Sequence, residues 1–287
     1  MYSQYFSHCL LTRFNIRFNE TAPPTPDSWL RHRLDLFRRG PLRSVKSQTV
    51  RPDVWLVLCD ARSPGWFRQE ISAVVEDIGD LVWSEEPFSS AVVAREIASR
   101  MKDQTHLITT RLDNDDCISR DFLSIVQSKF EGQDFEFLNL THGGQWKDGR
   151  FYYRSDPSNA FCTLVERLTA RGPRTVFLDC HHLLHQYGTV RQIKTHPAWI
   201  QIIHDHNLAN RVSGVRAQPE SILRYFDVDL PVRRTGRISL FADSVISAAT
   251  LLSRIVRSPA RMKHLAPVLF SATRTTKSLK GREINER

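Results

Sequence analysis

Three carboxylates, Asp113, Asp115 and Asp116, crowd into four positions of the segment RLDNDDCISRDF (111–122). Like charges this close repel one another, and a cation removes the conflict. Oxygen ligands on a tight turn suit Mg²⁺ or Mn²⁺, ions that usually keep bound phosphate as a further ligand. Asp113-x-Asp115 is thus built to hold a nucleoside diphosphate through its metal, with Arg111 meeting a phosphate or setting the turn. An acidic loop capping the next helix through Asp116 and Ser119 is the other reading. His204 closes the apolar run PAWIQIIH (197–204) beside Asp205 and Asn207. It reads as an ion ligand or phosphate contact, or as a histidine at a sheet edge. His181, His182 and His185 lack the glutamate of a zinc-protease pattern.

Transfer of a group from such a diphosphate to an acceptor hydroxyl, with inversion, needs a base for that hydroxyl. Glu166, Asp179 and Asp205 are the candidates. The apolar neighbours of Glu166 would raise its pKa, and Asp179 precedes two histidines.

Strand-like and helical stretches alternate around these residues. HCLLTRF (8–14), VWLVLCD (54–60), HLITTRL (106–112) and FEFLNL (135–140) read as strands. Helical spacing marks 28–38, a segment opened by Ser63-Pro64, VVAREIASRM (92–101) and the stretch after Ser119. This alternation is that of an open α/β sheet, whose ligands sit at the carboxyl ends of its strands. Further on, Asp148-Gly149 predicts a hairpin. A helix is expected over 159–171, a strand over TVFLD (175–179), and strand-like runs over 188–194 and 197–204. The second half reads as mixed sheet and loops on the acceptor side.

The landmarks TRFNIRF (12–18), WLRHRLDLF (29–37), WLVLCDARSP (55–64), RLDNDD (111–116), FLN (137–139), SNAF (158–161) with Glu166, and HPAWIQIIHDHN (196–207) occur in this order. In them the chain resembles the bacterial putative rhamnosyltransferase family, itself similar to glycosyltransferases of the nucleotide-diphospho-sugar (GT-A) fold. The resemblance covers residues 8 to 214. It implies a GT-A-like α/β fold, an open, mostly parallel central sheet with a mixed acceptor-side half. It also implies transfer of a sugar, rhamnose among the options, from a nucleoside-diphosphate donor to a glycan or lipid-linked acceptor. Thr12, Arg13 and Asn15 would then lie near the base or diphosphate, and Asp60 near the base or ribose. Asp113 would face the ribose and Asp115 the metal, with Asp116 as another ligand and His204 completing the shell of Mn²⁺ or Mg²⁺.

The chain has 287 residues, 41% of them hydrophobic, enough to bury one large core or two modest ones. Five cysteines without a Cys-x-x-Cys pair read as buried thiols of a reducing compartment. The start lacks a secretory pattern and no window is apolar enough to span a bilayer, so a cytoplasmic location is expected. The formal charge of +9 admits nucleic acid, phosphorylated metabolites or an anionic membrane as partners. Nucleic acid is disfavoured because no aromatic-basic ribbon or recognition helix accompanies the charge. A non-catalytic glycan-binding or scaffolding protein is the alternative, opposed by the intact acidic motif. The expected organisation is a catalytic domain over 1–232, an amphipathic helix over 233–258 and a basic, disordered tail over 259–287. The tail supplies much of the excess charge, and with the helix it suggests peripheral contact with an anionic membrane at its inner face.

Overall fold

The computed structural model describes residues 5–101, 104–204, 211–233 and 236–257. Asp205, His206 and the expected tail at 259–287 lie outside the described residues. The chain opens with β1 (Phe6–Arg13), α1 (Asp27–Arg39), α2 (Pro41–Lys46), β2 (Val54–Asp60), α3 (Gly65–Val75), β3 (Asp80–Ser84), α4 (Ser90–Ala98) and β4 (His106–Arg111). After β4 come β5 (Cys117–Ile118), α5 (Phe122–Gln127), β6 (Phe135–Leu140), β7 (His142–Lys147), β8 (Arg150–Ser155) and β9 (Thr163–Arg167). The remainder is β10 (Val190–Ile193), β11 (Trp199–Ile202), β12 (Val215–Ala217), α6 (Pro219–Leu223) and α7 (Arg237–Arg257).

The central sheet has the order β10-β6-β9-β4-β1-β2-β3. Strands β3, β2, β1 and β4 are mutually parallel, so β1, β2 and β4 end on the same edge. Only β9 runs against its neighbours β4 and β6. Both faces of this sheet are covered, which is why β1 and β2 are continuous apolar runs. Leu10 and Phe14 of the first segment pack with α1, α3 and α5, whereas Cys9 and Leu11 pack with α4. A second sheet, β12-β8-β7-β11-β5, is mixed. The mostly parallel central sheet with a mixed half beside it is the α/β organisation that the sequence predicts.

Local chemistry accounts for the elements that matter to the site. Helix α1 carries Asp27 in its first turn and Arg38 and Arg39 in its last, favourable to the helix dipole, and it buries Leu30, Leu34 and Phe37. The β7–β8 hairpin turns through Asp148 (φ 50°) and Gly149 (φ 78°), the left-handed pair that a two-residue turn requires.

Several sequence expectations are corrected. Residues 163–167 form β9, not part of a helix, because Thr163–Val165 are buried between β4 and β6 and a strand there satisfies both ladders. TVFLD is not a strand. Thr175 sits at φ 66° and leads into a 3₁₀ turn over Val176–Leu178. Strand β3 was not foreseen, its five residues being too few for a clear pattern. Ser63 does not cap α3; its hydroxyl accepts instead from the Asn15 amide at 2.9 Å. Four cysteines are buried thiols, but Cys180 is exposed. No helix among the described residues is long and apolar enough to cross a membrane.

Candidate donor-binding site

The acidic motif leaves β4 at the carboxyl edge of the central sheet and turns straight into β5, which pairs with β11 of the second sheet. The turn is therefore tied to both sheets. Its three carboxylates do not converge; each has its own partners.

Asp113 receives a two-pronged contact from Arg111, 3.2 Å from Nε and 2.7 Å from Nη2. Arg13, at the end of β1, approaches it at 3.6 Å. Burial opposes the carboxylate charge, but the two guanidiniums outweigh it and hold Asp113 at about 2. Arg13 is itself boxed by the rings of Phe18, Phe88 and Phe177, at 5.0–5.4 Å from their centroids.

Asp115 is buried and pairs with two cationic or potentially cationic groups. Its Oδ2 meets the Arg33 guanidinium of α1 and lies 2.9 Å from Nε2 of His204. Asn114 locks this arrangement: its Oδ1 accepts from Arg33 at 2.9 Å, while its amide donates to the Phe14 carbonyl at 2.7 Å. Trp29 stacks on Arg33, its ring centroid 5.0 Å away, and His32 lies edge-on to His204. Arg33 was missed in the sequence. The available signal was a charged residue inside the apolar stripe of α1, one turn from Leu30 and Phe37.

Asp116 turns inward and accepts from the Ile202 backbone N–H at 2.9 Å. Burial, then the nearby Asp115 and Asp113, push its pKa well above the usual carboxylate value. Its role is to pin the end of β11 two residues before His204. Asp116→Asn, which keeps an acceptor without a buried charge, should hold or raise the melting temperature. Asp116→Ala should cost about 1–3 kcal/mol, the penalty of an orphaned backbone N–H, measured by urea unfolding. Equal behaviour of the two would overturn this role.

Of the four residues expected around one ion, the structure brings only Asp115 and His204 together. Among the described residues, no three His, Cys, Asp or Glu side chains form a ready-made ion site.

Thr12 does not face the cleft. Alternation along β1 turns it into the core, where its hydroxyl accepts from the Trp55 indole at 3.0 Å. Asn15 and Asp60 do line a small cleft with Thr25, Arg62 and Ser63. The Asp60 carboxylate is engaged by Arg62, at 2.8 Å to the nearest nitrogen, and by Arg17 at 3.4 Å. Burial opposes its charge, but the Arg62 contacts outweigh that and lower its pKa.

Of the three candidate bases, the two within the described residues stand differently from expectation. Glu166 pairs with Leu107 across β9 and β4, four residues before Arg111, so about 13 Å of strand separates it from the motif. Both its oxygens accept backbone N–H bonds from Arg174 and Thr175, at 2.9–3.2 Å. Burial raises its pKa, as the sequence suggested, yet the group anchors a loop. That loop carries Phe177 against Arg13 and Arg111. Glu166→Ala should therefore lose about 2 kcal/mol of stability, while Glu166→Gln should keep kcat within a few fold; a hundredfold fall in Gln would restore it as the base. Asp179 accepts from the Tyr187 hydroxyl at 2.7 Å and from the Cys180 N–H at 2.6 Å, which lower its pKa and weaken it as a base.

The family described as putative rhamnosyl transferase matches residues 20–216, more than half of the chain. The chain belongs to this family. Among solved structures, it is similar to TarS residues 1–349 from S. aureus in complex with UDP-GlcNAc (9% identity, TM-score 0.39, 70% of this chain and 60% of that one). It also resembles HddC from Yersinia pseudotuberculosis (11% identity, TM-score 0.35, covering 69% and 93%). The inositol-1-phosphate CTP transferase of T. maritima matches at 11% identity and TM-score 0.34, covering 69% and 89%. The chain thus spans only 60% of the TarS chain. No curated protein matches it.

Proposed function

We propose that the chain transfers a glycosyl group from a nucleoside-diphosphate sugar to a hydroxyl of a glycan or lipid-linked acceptor. Its donor site would be the cleft at the carboxyl ends of β1, β2 and β4. One observation carries this reading: three guanidiniums and an imidazole from separate elements are held by two carboxylates of the motif, Arg13 and Arg111 on Asp113, Arg33 and His204 on Asp115. A diphosphate entering this cleft meets cations already oriented, which can strengthen their hold as negative charge builds on the leaving group.

The chemistry of the donor set fits a divalent cation at one pair only. Asp115 and His204 offer a carboxylate oxygen and an imidazole nitrogen, and diphosphate oxygens would supply further ligands, a combination suited to Mn²⁺ or Mg²⁺. Once bound, such an ion would neutralise charge on the departing diphosphate. Asp113 is assigned to the ribose side, and Arg13 and Arg111, which pair with it, are assigned to phosphate. Asn15 and Asp60, in the neighbouring cleft, are assigned to the base or ribose. Rhamnose is the first sugar to try, following the description of the family.

A screen of nucleotide-sugar hydrolysis across donors, with and without Mn²⁺ or Mg²⁺, tests the reading. Release of nucleoside diphosphate from one donor, stimulated by metal, is expected. Tight glycan binding with no turnover of any donor would favour the non-catalytic alternative.

A further inference from the structure

Helix α7 is docked the wrong way round for an ordinary surface helix, which buries its apolar stripe. Its serine face meets the domain. Ser244 donates to the Arg216 carbonyl at 2.9 Å, Ser247 accepts from the Arg216 N–H at 3.0 Å, and Asp243 lies 4.0 Å from the Arg216 guanidinium. Leu251 alone among its described large apolar side chains is buried. The other face presents Ile238 (88% exposed), Phe241 (72%), Val245 (52%), Ile246 (64%) and Leu252 (44%) to solvent. Positions 238, 241, 245 and 252 fall on one stripe of the helix, and no described element covers it.

Charge identifies the occupant. Residues 233–287 contain twelve Lys and Arg against three acids, whereas residues 1–232 contain twenty-eight of each sign. The whole formal charge of +9 therefore belongs to this helix and the sequence flanking it, with arginines at 233, 234 and 237 before the stripe and at 254 and 257 after it. We propose that α7 lies on the surface of an anionic bilayer, its exposed apolar stripe entering the headgroup boundary and the flanking basic residues meeting lipid phosphates. A second copy of the chain would bring another excess of positive charge to the same place, so like-charge repulsion disfavours it. The proposal is independent of which donor the cleft takes.

The test is co-sedimentation of the full chain with phosphatidylcholine vesicles, with and without phosphatidylglycerol, at low and physiological ionic strength. Binding is expected only with the anionic lipid and should weaken as salt screens it. The variant Ile238→Ser/Phe241→Ser/Val245→Ser keeps every charge and alters only exposed positions. Its vesicle partitioning should fall at least about tenfold with the melting temperature unchanged. Equal pelleting of variant and parent would assign binding to charge alone and overturn the proposal. So would failure of the parent to bind anionic vesicles, or light scattering that shows a dimer dispersed by the substitutions without any vesicle binding.

Discussion

Asp115→Asn is expected to slow donor turnover by at least about 10²-fold, close to 3 kcal/mol of transition-state stabilisation, the scale of a major electrostatic group in a water-poor site. Asp115 is the one carboxylate of the motif shared by a guanidinium and an imidazole. Asparagine keeps its volume but leaves Arg33 beside a neutral partner and deprives His204 of its carboxylate. Both donor binding and the chemical step should suffer. Steady-state hydrolysis with and without Mn²⁺ measures the loss, and thermal unfolding checks that the variant is folded. Turnover within a few fold of the parent, equally metal-responsive, would remove Asp115 from the mechanism.

Gly143→Ala is expected to destabilise the protein by about 3 kcal/mol, the upper range for overpacking a rigid core. A Cβ at position 143 would fall within the indole of Trp199. That ring cannot withdraw: it stacks on Phe161 at 5.1 Å, and its N–H donates to the Leu140 carbonyl at 2.8 Å. Trp199 begins β11, the strand that leads to His204, so the disturbance should also reach the donor site. Urea unfolding gives the energy, and a weaker donor affinity in the folded fraction would report the displacement of His204. A midpoint equal to that of the parent would mean that the two sheets tolerate a shift the packing argues against.

The chain's one-dimensional pattern already determined much of this. The apolar runs of β1, β2, β4 and β6 are long enough to be recognised because both their faces are buried, and Asp148-Gly149 is readable because few residues tolerate a left-handed turn. The acidic motif was legible because three like charges in four positions demand a cationic partner. Which partner each carboxylate takes was not legible. Arg33 arrives from a residue 82 positions before Asp115 and His204 from 89 positions after it, and no local period records such meetings. Thr12 and Glu166 went astray for related reasons. A strand side chain alternates between core and cleft, so a one-residue step decides Thr12, whereas Glu166 took a strand because β4 and β6 offered two ladders that local helical spacing could not outweigh. Helix α7 makes the same point in reverse. Its amphipathic period was plain in the sequence, but only the tertiary contacts of Ser244 and Ser247 with Arg216 decided that the polar face docks and the apolar face is left outside. Those two hydroxyls satisfy the backbone of the edge strand β12, and an apolar face would have left its N–H and C=O groups without partners.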